Sequence, residues 1–276
     1  MWQRIKSYLN PANRLSSRGM IRMDEQTRAS LHPCVAHRGW SGMAPENTMA
    51  AFRLAMTQPF VQWMELDVHL SRDDVPVVIH DGILKRTTNG EGRVRDLTAE
   101  QLGRLDAGSW VHPSFYTEGV PTLAEVLSLT SGRCRLNIEL KGDDADRTLL
   151  AARAVDVIRS HQFEQHAVIT SFQPDILIAV RNYFPSIRTG LIIDAFPQDL
   201  VSTLRSLGAS YLSIGFRHLS PLLLQQTADA GIDVMAWTVN SPADLRRLMN
   251  RPEPFQICTN YPDRWLAAVK EENRRS

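Results

Sequence analysis

From residue 34 onward the chain alternates short apolar runs with longer segments whose apolar residues recur at helical spacing. Nine runs are strand-like: CVAH, WMELDVHL, VVIH, CRLNIEL, AVITSF, TGLII, YLSIG, DVMAWTV and FQICTN. This alternation predicts parallel strands joined by helices. Only a short turn-like stretch, SRDDVP, separates WMELDVHL from VVIH. A parallel crossover needs a dozen or more residues, so VVIH is predicted to pair with the preceding strand as a hairpin.

Eight strand–helix units then remain in a chain of 276 residues, which favours an α/β fold of the (β/α)8 TIM-barrel type. A doubly wound sheet is the alternative, but its first strand is usually followed by a GxGxxG loop, whereas this chain reads HRGWSG. We assign residues 31–276 to the barrel domain and residues 1–30 to an N-terminal extension, part of it helical. Residues 81–121, rich in Gly, Thr and Asn, are interpreted as a small insertion after the second strand that forms a lid over the barrel mouth, with a helix from Thr98 to Leu105.

The charge balance and apolar content exclude several classes of protein. A net charge of +1, from 31 basic and 30 acidic residues, argues against a nucleic-acid partner. No apolar run reaches the 18 residues of a membrane span, and the N-terminus lacks the apolar core of a secretory signal. The segment from Trp2 to Leu9 predicts a helix that packs beneath the barrel or makes peripheral contact with a membrane.

Three widely spaced cysteines, Cys34, Cys134 and Cys258, lie in apolar runs without a CxxC pair. We expect them to be buried and unpaired, which suits a reducing, cytoplasmic compartment.

Acidic side chains converge where two neighbouring strands are predicted. Glu65 and Asp67 point to the same side of one strand because they are two residues apart, and Glu139 repeats the pattern on the next barrel strand. Burying carboxylates is costly unless a cation neutralises them. Oxygen ligands without cysteine favour one hard divalent cation, Mg²⁺ or Ca²⁺. The alternative is that each carboxylate pairs with a buried Arg or Lys.

Two histidines, His37 and His80, end segments beside these carboxylates. Imidazoles titrate near neutral pH, so one can accept a proton while the other donates one. Arg38 and Lys141 add fixed positive charge suited to a phosphate. The set predicts phosphoryl transfer in which an attacking oxygen loses a proton and a leaving oxygen gains one.

Ten stretches between Val35 and about Asp263 resemble, in order, the glycerophosphodiester phosphodiesterase family: AHRG, PENTMAAF, ELDVHLSRDDVPVVIHD, LKRTTNGEGRVRDLT, LDAGSW, PTLAEVL, NIELKG, TSFQPDIL, AWTVN and TNYPD. The resemblance implies a (β/α)8 barrel with a segment inserted after its second strand. It also implies metal-dependent hydrolysis of glycerophosphodiesters to sn-glycerol 3-phosphate and an alcohol.

Carried over motif by motif, the resemblance implies roles for nine residues. The proposed roles are His37 and His80 as the acid–base pair, Arg38 and Lys141 as phosphate contacts, Trp237 as an apolar wall beside the glycerol, Glu65, Asp67 and Glu139 as metal ligands, and Glu46 as a further site residue. Asn260 stands where many relatives carry Asp. A lysophospholipase D acting at a membrane surface and a non-catalytic phosphodiester-binding barrel are the alternatives. The complete set of histidines and carboxylates argues against the second.

Overall fold

The computed structural model describes residues 23–142, 145–195 and 199–271 of the chain. Its strands are β1 (Cys34–His37), β2 (Trp63–Leu70), β3 (Pro76–Val78), β4 (Arg135–Leu140), β5 (Ala167–Ser171), β6 (Arg188–Ile193), β7 (Tyr211–Gly215), β8 (Asp233–Trp237) and β9 (Gln256–Thr259). Its α-helices are α1 (Glu25–Leu31), α2 (Met49–Met56), α3 (Ala99–Gly103), α4 (Leu123–Thr130), α5 (Arg147–Ser160), α6 (Pro174–Tyr183), α7 (Leu200–Ser206), α8 (Pro221–Asp229), α9 (Pro242–Met249) and α10 (Pro262–Lys270). The helix predicted from Trp2 to Leu9 lies outside the described residues.

Eight parallel strands close into a barrel in the order β1, β2, β4, β5, β6, β7, β8 and β9, with β9 paired back to β1. Strand β3 pairs antiparallel to β2, with Val68 opposite Val78. The TIM barrel and the hairpin are therefore confirmed, and the doubly wound alternative is wrong.

The alternation along β2 separates the two faces of the barrel wall. Met64, Leu66 and Val68 join the apolar core between the sheet and the helices. Trp63 instead packs against an apolar cluster inside the barrel that includes Val35. Side chains on one strand alternate between faces, so Glu65 and Asp67 share the interior with Trp63.

The inserted segment has a small apolar core of its own, which extends to residues of the β2–β3 hairpin. That core consists of Val77, Ile79, Leu84, Val94, Leu102, Ala107 and Val120. Its α-helix, α3, begins after Thr98, whose hydroxyl accepts the backbone N–H of Gln101. A short 3₁₀ turn, Leu84–Arg86, precedes α3, and Leu84 is fully buried within the small core.

The base of the barrel is closed by α1 and the residues that follow it. The Trp265 indole N–H donates to the carbonyl of His32, and the carbonyls of Leu31 and Pro33 accept from residues entering β9. Cys34, Cys134 and Cys258 are buried and free, as predicted. Among the described residues, every helix is too short or too polar to cross a bilayer.

Candidate active site

The end of β1 is built on an unusual backbone path. Arg38 and Gly39 both have positive φ angles, 55° and 77°. A Cβ atom at Gly39 would lie 2.7 Å from the carbonyl carbon of Ala51, so only glycine lets this loop rest on α2. The backbone N–H of Arg38 also donates to the side-chain Oε2 of Glu65 at 3.2 Å. The loop is therefore held against the carboxylates of β2.

Three buried carboxylates meet at this end of the barrel. One oxygen each from Glu65, Asp67 and Glu139 lies within 4.8 Å of the other two. The strand register explains the meeting, because Asp67 on β2 is directly paired with Glu139 on β4. The predicted convergence of these residues is confirmed.

Two cations lie among the carboxylates and pair with Asp67 and Glu139, whereas Glu65 contacts His37 and the backbone N–H of Arg38. The alternative interpretation therefore fits two of the three carboxylates. Arg38 Nε is 3.1 Å from Asp67 Oδ2, and Lys141 Nζ is 3.2 Å from Asp67 Oδ1 and 2.5 Å from Glu139 Oε1. Three carboxylates thus face two side-chain cations, which leaves one negative charge in excess. Asp67 Oδ1 accepts no well-oriented hydrogen bond from the part of the chain that the structure describes.

The pKa values of the carboxyl groups follow from this crowding. Burial, and then the charge of Asp67, raises the pKa of Glu65 well above its ordinary value and that of Glu139 to about 7. Burial also raises the pKa of Asp67, but Arg38 and Lys141 outweigh burial and hold that pKa well below its ordinary value. A divalent cation among these oxygens would relieve the repulsion that raises the first two values.

His37 is oriented by a neutral amide. Its Nδ1 lies 2.6 Å from Asn260 Oδ1, an atom that only accepts, so Nδ1 carries the proton. Its Nε2 lies 3.7 Å from Glu65 Oε2. Burial, followed by the charge of Arg38, lowers the pKa of His37 to about 4. The neutral ring therefore presents an unprotonated Nε2.

His80 is oriented by a carboxylate instead. Its Nδ1 lies 2.5 Å from Asp81 Oδ1. The hydrogen bond from Arg86, opposed by modest burial, keeps the pKa of Asp81 low, at about 2. A charge-assisted hydrogen bond to the Asp81 carboxylate therefore fixes the His80 ring, whereas a neutral amide fixes that of His37.

Glu46 joins the two sides of the site. Its Oε1 accepts from Arg38 Nη1 at 2.8 Å and from Arg86 Nη2 at 2.8 Å. Burial raises the pKa of Glu46, but hydrogen bonding to Arg86 and the charge of Arg38 lower it overall. Glu46 therefore stays ionised between two guanidinium groups.

A cavity of about 150 Å³ opens among these groups. Its polar floor is formed by three buried side chains, Asn137, Thr170 and Ser213, and one wall by the edge-to-face pair of Phe172 and Trp237. The other site residues that line it are His37, Arg38, Glu65, His80, Glu139 and Lys141. Residues 81–121 are all described, and none of them lines this cavity, so the lid role stays a prediction.

Several contacts of the site residues were not foreseen from the sequence, although Asn260 had been singled out without a role. Asn47 donates to Asp67 Oδ2 at 2.8 Å, and Asn260 contacts His37. Arg86 contacts Glu46 and Asp81. Asn47 and Arg86 both fall within quoted motifs, PENT and LKRTTNG, which were the available signal.

Comparison with known proteins gives one consistent family match. Residues 37–264 match the sequence profile of the glycerophosphoryl diester phosphodiesterase family. The chain is 34% identical to the glycerophosphodiester phosphodiesterase of Caldanaerobacter subterraneus subsp. tengcongensis, over 86% of this chain and 97% of that protein.

Two solved structures extend the likeness to the fold. An Oleispira antarctica phosphodiesterase in complex with the product sn-glycerol-3-phosphate superposes with a TM-score of 0.80 at 31% identity, over 89% of this chain and 99% of that one. A glycerophosphodiester phosphodiesterase from Agrobacterium tumefaciens gives 0.76 at 29% identity, over 86% and 99% of the two chains.

Proposed function

Because the chain belongs to the glycerophosphoryl diester phosphodiesterase family, we propose that it hydrolyses glycerophosphodiesters to sn-glycerol 3-phosphate and an alcohol by acid–base catalysis at a divalent cation. The observation that carries the proposal is a cluster of three buried carboxylates, two of which line one cavity together with two histidines, an arginine and a lysine. The relative from Oleispira antarctica binds the product sn-glycerol-3-phosphate, which agrees with the proposed substrate class.

The residues present fit a hard divalent cation. Glu65, Asp67 and Glu139 offer oxygen ligands at close quarters, with one negative charge not neutralised by Arg38 and Lys141. These three carboxylates would hold Mg²⁺ or Ca²⁺. When bound, the cation supplies charge stabilisation to the phosphate oxygens and to the attacking hydroxyl.

The partners of the two histidines support distinct roles for them in the first step. The glycerol hydroxyl next to the phosphate attacks phosphorus and gives its proton to His37 Nε2, which is unprotonated because Nδ1 donates to Asn260. The bond from phosphorus to the leaving oxygen breaks, and His80, which Asp81 orients through Nδ1, gives that oxygen a proton. The products are a free alcohol and a five-membered cyclic phosphate.

The second step reverses the proton transfers. Water attacks phosphorus and loses a proton to His80, the ring P–O bond breaks, and protonated His37 returns its proton to the glycerol oxygen. The sum is one diester plus water giving sn-glycerol 3-phosphate plus alcohol. Arg38 and Lys141 hold the phosphate, and Trp237 borders the glycerol, in agreement with their positions around the cavity.

Turnover of glycerophosphocholine, followed by release of choline, tests the proposal. His37→Ala and His80→Ala should each lower kcat by on the order of 10²–10⁴ with the barrel still folded. Chelation with EDTA should abolish turnover, and Mg²⁺ or Ca²⁺ should restore it. Activity that survives complete chelation would remove the cation from the reaction.

The internal nucleophile has its own test. A diester in which hydrogen replaces the hydroxyl next to the phosphate should bind but should not be cleaved. Cleavage of that analogue at the rate of the parent diester would mean that water attacks directly.

A lysophospholipase D activity is the second candidate, and exposed aromatic side chains on the insertion favour it. Trp110 is 47% exposed and Tyr116 is 69% exposed, which suits contact with lipid. If the second candidate holds, lysophosphatidylcholine is cleaved faster than glycerophosphocholine, and Trp110→Ser with Tyr116→Ser lowers only the lipid rate. Equal effects on both substrates would count against it.

The cytoplasmic location and the boundaries of the extension and insertion stay predictions.

A further inference from the structure

We infer that Arg86, which lies in the inserted segment, is a positioning residue that clamps Glu46 and Asp81 and thereby fixes Arg38 and His80. The inference rests on the proposed function, because it assigns a task within the same reaction. It gives the insertion an indirect part in the reaction, through Glu46 and Asp81, although none of the insertion's described residues, 81–121, lines the cavity.

The contacts of Arg86 reach both sides of the site. Its Nε donates to Asp81 Oδ2 at 2.5 Å, and its Nη2 lies 3.2 Å from Asp81 Oδ1. Toward Glu46, Nη1 donates to Oε2 at 3.1 Å and Nη2 to Oε1 at 2.8 Å. One planar guanidinium thus makes two contacts with each of two carboxylates, and the three donors of a lysine cannot reproduce all four.

Each carboxylate holds one residue of the proposed machinery. Glu46 Oε1 accepts from Arg38 Nη1 at 2.8 Å, and Asp81 Oδ1 accepts from His80 Nδ1 at 2.5 Å. A continuous chain therefore runs from Arg38 through Glu46, Arg86 and Asp81 to His80. Its two ends are a proposed phosphate contact and the proposed acid.

The backbone of Arg86 is fixed by the insertion. Arg86 is the last residue of the turn Leu84–Arg86, and Leu84 is fully buried in the small apolar core. The carbonyl of Leu84 also accepts from the backbone N–H of Thr88. The Arg86 side chain is 43% exposed, so it adds little to the core and its removal should leave the fold intact.

Removal of the clamp should misplace two groups. Without Arg86, Asp81 and Glu46 lose their shared partner, and His80 and Arg38 lose the groups that hold them in one orientation. A displacement of about 1 Å in a reacting group can cost on the order of 10²-fold in rate. We therefore expect Arg86→Ala to lower kcat for glycerophosphocholine by roughly 10- to 100-fold, and Arg86→Lys to give an intermediate value.

Arg104→Ala is the matched control. Arg104 lies in the same insertion and forms an ion pair with Glu100, but both side chains are highly exposed and neither contacts the site. Its replacement should leave kcat and KM unchanged. Thermal unfolding of both variants separates loss of folded protein from loss of rate.

Two diesters of glycerol 3-phosphate distinguish positioning from a merely structural role. Choline leaves as an alkoxide that needs a proton, whereas 4-nitrophenol leaves readily without one. If Arg86 orients His80, the kcat defect of Arg86→Ala is smaller for the nitrophenyl diester than for glycerophosphocholine. If Arg86→Ala only reduced the amount of folded enzyme, the apparent kcat would fall by the same fraction with both substrates.

A double-mutant cycle tests the path of the effect. In an Asp81→Asn background, Arg86→Ala should cost less than it costs in the wild type, because the two residues act on the same histidine. Full additivity would overturn the clamp, as would a crystal structure of Arg86→Ala with Arg38, Asp81 and His80 unmoved. If His80→Ala turned over as fast as the wild type, the proposed role of His80 would be overturned, and the function of the clamp with it.

Discussion

His32, at the base of the barrel, should make the protein's stability depend on pH. The side chain is fully buried after α1, with its Nε2 3.0 Å from the carbonyl of Arg251 and its ring 4.5 Å from that of Phe255. Burial lowers the pKa of His32 from 6.5 to about 4. The folded protein therefore resists protonation of a ring that the unfolded chain protonates readily.

The sign and size of the effect follow by linkage. Because the pKa of His32 is lower in the folded state, the contribution of neutral His32 to the free energy of unfolding is complete above pH 6.5. That contribution is lost as the pH falls from 6.5 toward 4. The limiting slope is about 1.4 kcal/mol per pH unit. Between pH 7.5 and pH 5 the free energy of unfolding should drop by roughly 2 kcal/mol from this residue alone.

Urea unfolding of the wild type and of His32→Gln at pH 7.5, 6 and 5 measures the contribution. Glutamine keeps a donor for the Arg251 carbonyl but does not titrate, so packing losses are the same at every pH. The stability advantage of the wild type over the variant should shrink by roughly 2 kcal/mol from pH 7.5 to 5. Other titrating groups, His37 among them, are common to both proteins and cancel in the difference.

The reasoning is refuted if the difference in free energy between the two proteins is the same at all three pH values. That result would mean that His32 titrates near 6.5 in the folded state, despite its burial. An advantage that grows toward low pH would refute the direction of the shift itself.

Three further changes have expected outcomes. Asn260→Ala removes the acceptor that orients His37 and should lower kcat by roughly 10- to 100-fold with little loss of stability. Asn260→Asp keeps an acceptor and should therefore retain more of the rate. Steady-state kinetics and thermal melting check both variants. Leu84→Ala deletes a fully buried side chain of the insertion and should cost about 2–5 kcal/mol of unfolding free energy in urea. Gly39→Ala places a Cβ against α2 at a positive φ and should destabilise the fold. The same change at Gly132, which has a similar φ but open space around it, should destabilise the fold less. Equal melting temperatures for the two variants would contradict the steric argument.

The barrel was predictable because its signal is local. Each strand is a short apolar run bounded by helix-length segments, and β1, β2 and β7 have the bounds that the runs suggested. The carboxylate cluster was predictable for a related reason. Two acidic residues at i and i+2 must share a face, and the next parallel strand adds Glu139 beside Asp67.

The partners that orient the site were not predictable, because they depend on contacts between distant parts of the chain. Asn260 is 223 residues from His37 in sequence, and its contact exists only because β9 closes the barrel against β1. Arg86 is 40 residues from Glu46, and their contact depends on how the insertion folds onto the hairpin. Neither distance is fixed by strand periodicity.

The two histidines therefore depend on different parts of the fold. Barrel closure brings Asn260 to His37, so the orientation of the proposed base depends on the pairing of β9 with β1. His80 is held by Asp81 and, through it, by Arg86, whose position depends on the small core around Leu84. A change that loosens the insertion should impair donation to the leaving alcohol before it impairs deprotonation of the attacking hydroxyl. Sequence variation within residues 81–121 is thus expected to tune the reaction through its acid, while the base is kept constant by the barrel.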